Sequence, residues 1–164
     1  MFKISEASIA DIPVIIGIAE KTWWPAYSKI LSAEQIRYML DAIYAPALLA
    51  QQMTNQSQTY LLLTSGEEAQ AFAAYGPRAE DASVYKIHKI YVLPGNQKQG
   101  YGQALIETIK RRAIANGVSI IDLNVNRFNP AKFFYEKLGF SIIREEDVPV
   151  GPYWMNDYVM RLEL

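Results

Sequence analysis

The segment Ile90-Tyr-Val-Leu-Pro-Gly-Asn-Gln97-Lys-Gln-Gly100-Tyr-Gly102-Gln-Ala-Leu105 constrains this chain more than any other. An apolar run stops at Pro94-Gly95, a polar turn follows, and two glycines open a stretch with helical spacing. Strand, turn and helix in that order leave backbone N–H groups exposed at the helix start. The helix dipole there favours an anion, and glycine lets a phosphate come close to the backbone. Lys98 adds a cation. The segment reads either as a phosphate or pyrophosphate site, or as a tight turn that Gly100 and Gly102 merely shape. It matches neither common nucleotide loop. No Gly-Lys-Ser/Thr is present, and Leu105 stands where the dinucleotide fingerprint needs a third glycine.

The remaining pattern is that of one mixed α/β domain spanning residues 1–164. Phe2–Glu6 alternates like a first strand. Ser8 and Asp11 form a capping-box pattern that opens a helix from Ile9 to about Thr22, and Ser32-Ala-Glu-Gln35 opens a second. Between them Trp23-Trp-Pro-Ala-Tyr27 reads as a loop or broken helix. Thr59–Thr64 and Ala71–Tyr75 form a hairpin about Ser65-Gly66-Glu67, and Val84–Leu93 is a longer strand. Tyr101–Asn116 is helical, Val118–Val125 a strand, and Asn129-Pro130 caps a short helix that Gly139 ends. Phe140–Glu145 and Trp154–Leu162 are the last strands. The expected sheet is mostly antiparallel, with parallel character at the helical crossover.

Several function classes are excluded or disfavoured. The chain has no cysteine and a single histidine, so thiolate metal sites, disulfides and a His-paired nucleophile lack material. No metal site is expected. A net charge of −1 gives no sign of nucleic-acid binding. No signal peptide or membrane span is visible, and the expected setting is cytoplasmic.

Gln97-x-x-Gly100-x-Gly102, after a strand ending Ile-Tyr-Val-x-Pro, resembles the pyrophosphate loop of the GNAT acetyltransferases, Gln/Arg-x-x-Gly-x-Gly/Ala. Downstream, Asn129-Pro-Ala131-Lys-Phe-Phe-Tyr135-Glu-Lys-Leu-Gly139-Phe140 resembles that family's second signature. The two occur in the family's order and separation and cover about residues 84 to 140. The resemblance implies a GNAT-type mixed sheet of about seven strands flanked by about four helices, with acetyl-CoA as acetyl donor. It implies that the backbone of Ile90, Tyr91 and Val92 pairs with the pantetheine arm and that an amide at the bulge polarises the thioester carbonyl. The segment Gln97, Lys98, Gln99, Gly100, Tyr101 and Gly102 would hold the pyrophosphate, Asn129 would bond the cofactor, and Tyr135 would protonate the departing thiolate. Such a transfer needs no covalent enzyme intermediate, because a neutral amine attacks the thioester once both are held together.

Two positions depart from the family pattern. The motif asparagine usually lies seven residues before the tyrosine, where this chain has Phe128, and Asn129 is six before. Many relatives carry Glu at the place of Lys86, and a charged lysine cannot relay the amine's proton, so the general base is unassigned. His88 reads as a strand residue satisfied locally, in phase with Ile90 and Val92, with a place on the acceptor's proton path as the alternative.

The opening of the chain resembles, more loosely, the diamine and polyamine branch of the family. That likeness makes Trp23, Trp24 and Tyr27 candidates for binding a small cationic amine through their aromatic faces, with Asp157 or Glu20 holding a distal ammonium. Packing is the competing role for the aromatics. Other readings are acetylation of a peptide terminus or lysine, and a coenzyme-binding module without catalysis. The C-terminal strand would be available to pair across a homodimer.

Overall fold

The computed structural model describes all residues 1–164. Seven strands make one sheet: β1 Phe2–Glu6, β2 Thr59–Ser65, β3 Glu68–Pro77, β4 Val84–Val92, β5 Ile120–Asn126, β6 Ser141–Val150 and β7 Tyr153–Glu163. Their order is β1-β2-β3-β4-β5-β7-β6, and only β4 and β5 run parallel. Five helices flank it: α1 Ile12–Tyr27, α2 Ala33–Ile43, α3 Pro46–Thr54, α4 Tyr101–Ala115 and α5 Ala131–Lys137. No helix is long and apolar enough to cross a membrane.

Each face of the sheet has its own core. On one, Leu105, Ile106 and Ile109 of α4 and Tyr135 of α5 pack on Leu61, Ala73, Ile87, Leu123 and Met160. On the other, Ile15, Trp23 and Tyr27 of α1, Ile36 and Met39 of α2 and Leu49 of α3 cover Tyr60, Leu62 and Phe72. Strand residues alternate between these cores because successive side chains point to opposite faces.

Three features differ from the sequence expectation. After a 3-10 turn over Ile9–Asp11, α1 runs unbroken through the aromatic stretch to Tyr27, with Pro25 inside it. Pro25 removes one helical hydrogen bond. Burial of Trp23 and Tyr27 on that side of the sheet offsets the loss, and Thr22 Oγ1 bonds back to the carbonyls of Ile18 and Ala19 at 2.9 and 3.2 Å. The helix α3 is additional, opening at Pro46 in the first-turn position where its missing N–H costs nothing. The C-terminal strand β7 is not an edge. It lies between β5 and β6, so the strand that could pair across a homodimer is already paired on both sides. The caps were read correctly at two starts: the Ser8 N–H donates to Asp11 at 2.8 Å, and Ser32 Oγ accepts from the Gln35 N–H at 3.1 Å.

Lys89 of β4 is buried with neutral partners alone. Its ammonium donates to Gln58 Oε1 at 2.8 Å and the Tyr60 hydroxyl at 2.7 Å, and lies over the Tyr60 and Tyr44 rings. Burial without a carboxylate pushes its pKa down to about 7. The folded state therefore disfavours the protonated form. Its stability contribution is greatest above the lysine's ordinary value and is lost as pH falls from about 10 through 7. Chemical denaturation of wild type and Lys89→Met at pH 6, 8 and 9.5 should show the wild type gaining stability relative to the variant as pH rises. A difference that does not change with pH would contradict this.

Candidate active site

The site forms where the sheet opens. β4 and β5 pair only from Val84 against Ile120 to Ile87 against Leu123. Beyond that, β4 continues beside β3 and β5 beside β7, and the strands part into a cleft of about 630 Å³. Its lining includes His88, Ile90, Tyr91, Val92, Gln97, Gly100 and Gly102 from the β4–α4 side. Asn124, Asn129, Phe134 and Tyr135 line the β5–α5 side, and Pro25, Ala26 and Tyr27 close it from α1.

A bulge coincides with the opening. Ala74 pairs with Lys89 and Tyr75 with Ile87, so His88 is the extra residue. The bulge shifts the alternation: Ile87, Ile90 and Val92 all meet the α4 core, while Lys89 and Tyr91 turn to the α1 core. His88, which the sequence places in phase with Ile90 and Val92, is here the unpaired residue of the bulge. Nor is it locally satisfied, since its ring makes no hydrogen bond within the protein and stands exposed at the cleft.

The cleft fits a long ligand that carries phosphates. The cleft-facing edge of β4 after Ile87 has no strand partner, which suits strand-like pairing with an amide-bearing arm. At the start of α4, Ala104 supplies the first N–H bonded back to the backbone, to Gly100, leaving the N–H groups of Tyr101, Gly102 and Gln103 free for an anion. Gly100 caps this helix at φ +78°. At Gly102 a Cβ would lie 3.2 Å from the Phe134 ring, so any larger residue would push that ring aside.

Other groups fix the cleft walls. Asn129 Oδ1 accepts from the Ala131 N–H at 2.9 Å, turning the chain into α5, and its amide also lies near the Tyr27 hydroxyl. The Tyr27 and Tyr91 hydroxyls bond at 3.1 Å across the cleft. Tyr135 is buried among Phe134 and Phe140, and burial, with Tyr27 nearby, raises its pKa well above the usual phenol value. It therefore keeps its proton at neutral pH and is able to donate it.

Of the sequence-derived residues, Ile90, Tyr91, Val92, Gln97, Gly100, Gly102, Asn129, Tyr135 and Tyr27 come together in the cleft. Lys98 and Gln99 lie on the exposed turn before α4. Trp23 and Trp24 do not reach the cleft, because the continuous helix turns them elsewhere. Trp23 is buried against Tyr27, Tyr44 and Tyr91 with Nε1 donating to the Tyr44 hydroxyl at 3.3 Å. Trp24 donates to Glu20, itself paired to Arg37 at 2.6 Å, so Glu20 is occupied.

Sequence reasoning named Asp157 but missed its partners Asn124 and Glu146. Asn124 Nδ2 donates to Glu146 at 3.0 Å and to Asp157 at 3.1 Å. Burial raises the pKa of Asp157, and the Asn124 bond partly offsets it. Strand register alone brings Asn124, Glu146 and Asp157 together, and register is not visible in a single sequence.

Comparison with known proteins decides the family: residues 28–162 match the Acetyltransferase (GNAT) domain. The chain belongs to the GNAT acetyltransferases. An uncharacterised N-acetyltransferase of Mycobacterium bovis is 29% identical over 157 residues, covering 95% of this chain and 99% of that protein. A ribosomal protein bS18-alanine N-acetyltransferase of Haemophilus influenzae is 33% identical over 89 residues, 53% of this chain and 59% of that one. The fold is shared with the PaiA N-acetyltransferase of Thermoplasma acidophilum in complex with coenzyme A, at a TM-score of 0.85 and 21% identity. That match covers 100% of this chain and 99% of that one. This GNAT protein is an N-acetyltransferase, and acetyl-CoA is its donor.

If the α4 start holds the pyrophosphate, Gly102→Glu puts a carboxylate against it and a side chain against Phe134. Calorimetric titration with CoA should show affinity reduced at least about 100-fold, the scale of a lost cluster of charge-assisted hydrogen bonds. Undiminished affinity in a folded variant would reject the assignment.

Proposed function

We propose that this GNAT enzyme transfers acetyl directly to a primary amine, with Tyr135 as the acid and a small cationic amine, such as a diamine or polyamine, as acceptor. Acetyl-CoA supplies the thioester. The free β4 edge and the start of α4 hold the donor, and the backbone at the bulge is suited to polarising the acetyl carbonyl. Tyr135, protonated and facing the cleft, is suited to protonating the departing sulfur.

The observation that carries the acceptor class is the carboxylate pair Asp157 and Glu146, tied by Asn124 behind the α1 side of the cleft. Two carboxylates there favour a distal ammonium. Lys86 lies in their field and opposes this, but burial and nearby Arg78 weaken its hold on a proton. A clasp between α2 and the β6–β7 hairpin supports a small acceptor. Gln35 Nε2 donates to the Trp154 carbonyl at 2.9 Å, and Tyr38 packs edge-on against Tyr153 at 5.4 Å. Gly151 makes this possible, since a Cβ there would overlap the Tyr38 ring. With α2 fastened to the β6–β7 hairpin, the acceptor side suits a small molecule better than an extended peptide.

A peptide N-terminus is the second reading, favoured by the partial match to the ribosomal protein alanine acetyltransferase. Spermidine and N-terminal peptides assayed side by side separate the two. We expect turnover of spermidine, with Asp157→Asn raising its KM while that of acetyl-CoA stays fixed. Efficient peptide acetylation beside negligible spermidine turnover would overturn the proposal.

Tyr135→Phe should retain CoA binding and lower kcat by about 100-fold, the scale of a lost general acid. A kcat within about twofold of wild type, with chemistry rate-limiting, would assign the acid elsewhere.

A further inference from the structure

We propose that the end of the sheet opposite the cleft carries a second binding site, for a small hydroxylated monocarboxylate. A cavity of about 390 Å³ lies there, between the starts of β2 and β4, the end of β3 and the last turn of α4. It shares no lining residue with the coenzyme cleft. Its shape is fixed by close backbone packing. A Cβ at Gly76 would overlap the Ser57 carbonyl, so the turn through Gln56, at φ +60°, rests directly on the end of β3.

The lining offers hydrogen-bond donors that the protein leaves unused. Arg112 donates once, from Nη1 to the Tyr75 hydroxyl at 3.3 Å, so its Nε and Nη2 protons have no acceptor. The Tyr85 hydroxyl accepts from Asn116 Nδ2 at 3.0 Å, and neither phenol donates a bond of its own. Such a wall calls for a ligand rich in acceptors. A guanidinium with a free fork takes a carboxylate through two parallel bonds. The hydroxyl and amide of Thr59 and Gln56 on the same lining suit hydroxyl groups on that ligand.

Charge points the same way. Gln58 and Tyr60 line the cavity, and both hold the buried Lys89 amine, which has no carboxylate partner. Against Lys89 and Arg112 the lining sets one acid, Glu6, exposed at the rim and 3.6 Å from Arg112. Two cations and one carboxylate leave a single positive charge, which matches a monocarboxylate and not a polyphosphate. The other titratable groups against the Lys89 amine are the Tyr44 and Tyr60 phenols, which burial keeps protonated. His88, beside it in β4, is held neutral by burial and the neighbouring cations. An anion in the cavity favours the ammonium form of Lys89, and at pH 8 it draws a proton onto an amine that is otherwise mostly neutral.

Calorimetric titration of the CoA-saturated protein with gluconate and with lactate tests this, since bound CoA keeps either acid out of the cleft. Sorbitol, which has the gluconate skeleton without the carboxylate, is the control. At least one acid should bind with a Kd of about 1 mM or tighter, and sorbitol should not. Arg112→Gln should weaken that binding about 10-fold or more, the scale of a lost charge-assisted pair, with CoA affinity unchanged. At pH 8, comparison of Tris with HEPES should reveal proton uptake on binding by the wild type and none by Lys89→Met. Failure of both acids to bind at about 10 mM would overturn the site, as would equal binding of sorbitol. A loss below about threefold in folded Arg112→Gln would also overturn it, and so would wild-type binding without proton uptake.

Discussion

The buried carboxylate of Asp122 holds closed the part of the sheet on which the cleft depends. It accepts from Arg161 at 2.7 and 2.9 Å and from Arg78 at 2.9 Å, so one side chain joins the end of β3, the middle of β5 and the last turns of β7. Burial alone would favour the protonated acid. The two guanidinium groups outweigh it and hold the pKa below the usual carboxylate range. Asp122 lies opposite Lys86, in the short stretch where β4 and β5 still pair. The strands can part above that level because they are tied below it.

Three local events then convert a sheet into a catalyst. The pairing of β4 with β5 ends at Ile87, the bulge inserts His88 at the next residue, and Gly100 starts α4 after the turn. Each exposes backbone groups that an uninterrupted sheet or helix would use internally. In the proposed donor site main-chain groups therefore predominate. The proposed acceptor side is the reverse, drawing on side chains of several elements.

That division also decides what the sequence discloses. The proposed donor-binding elements are contiguous, so strand, turn, glycines and helix stand side by side between residues 84 and 102, and all but one of the helices follow from spacing and caps. The missed helix α3 is short and weakly amphipathic, with no polar cap before Pro46. The aromatic run was misread because Pro25 ordinarily breaks a helix, and tertiary burial of Trp23 and Tyr27 overrides it here. The Asn124–Glu146–Asp157 group depends on the register of β5, β6 and β7, and the unpaired place of His88 on a bulge. Neither leaves a periodic trace.

The placement of β7 inside β6 bears on how the molecule is made. The hairpin's second strand is the one that docks on β5, so β6 reaches the sheet only through it. During synthesis β5 must wait with one edge open until about residue 163 has left the ribosome, and Arg161 reaches Asp122 among the last contacts. Until then the exposed edge of β5 is a template for wrong pairing. A chain broken off within β7 forfeits two strands and not one.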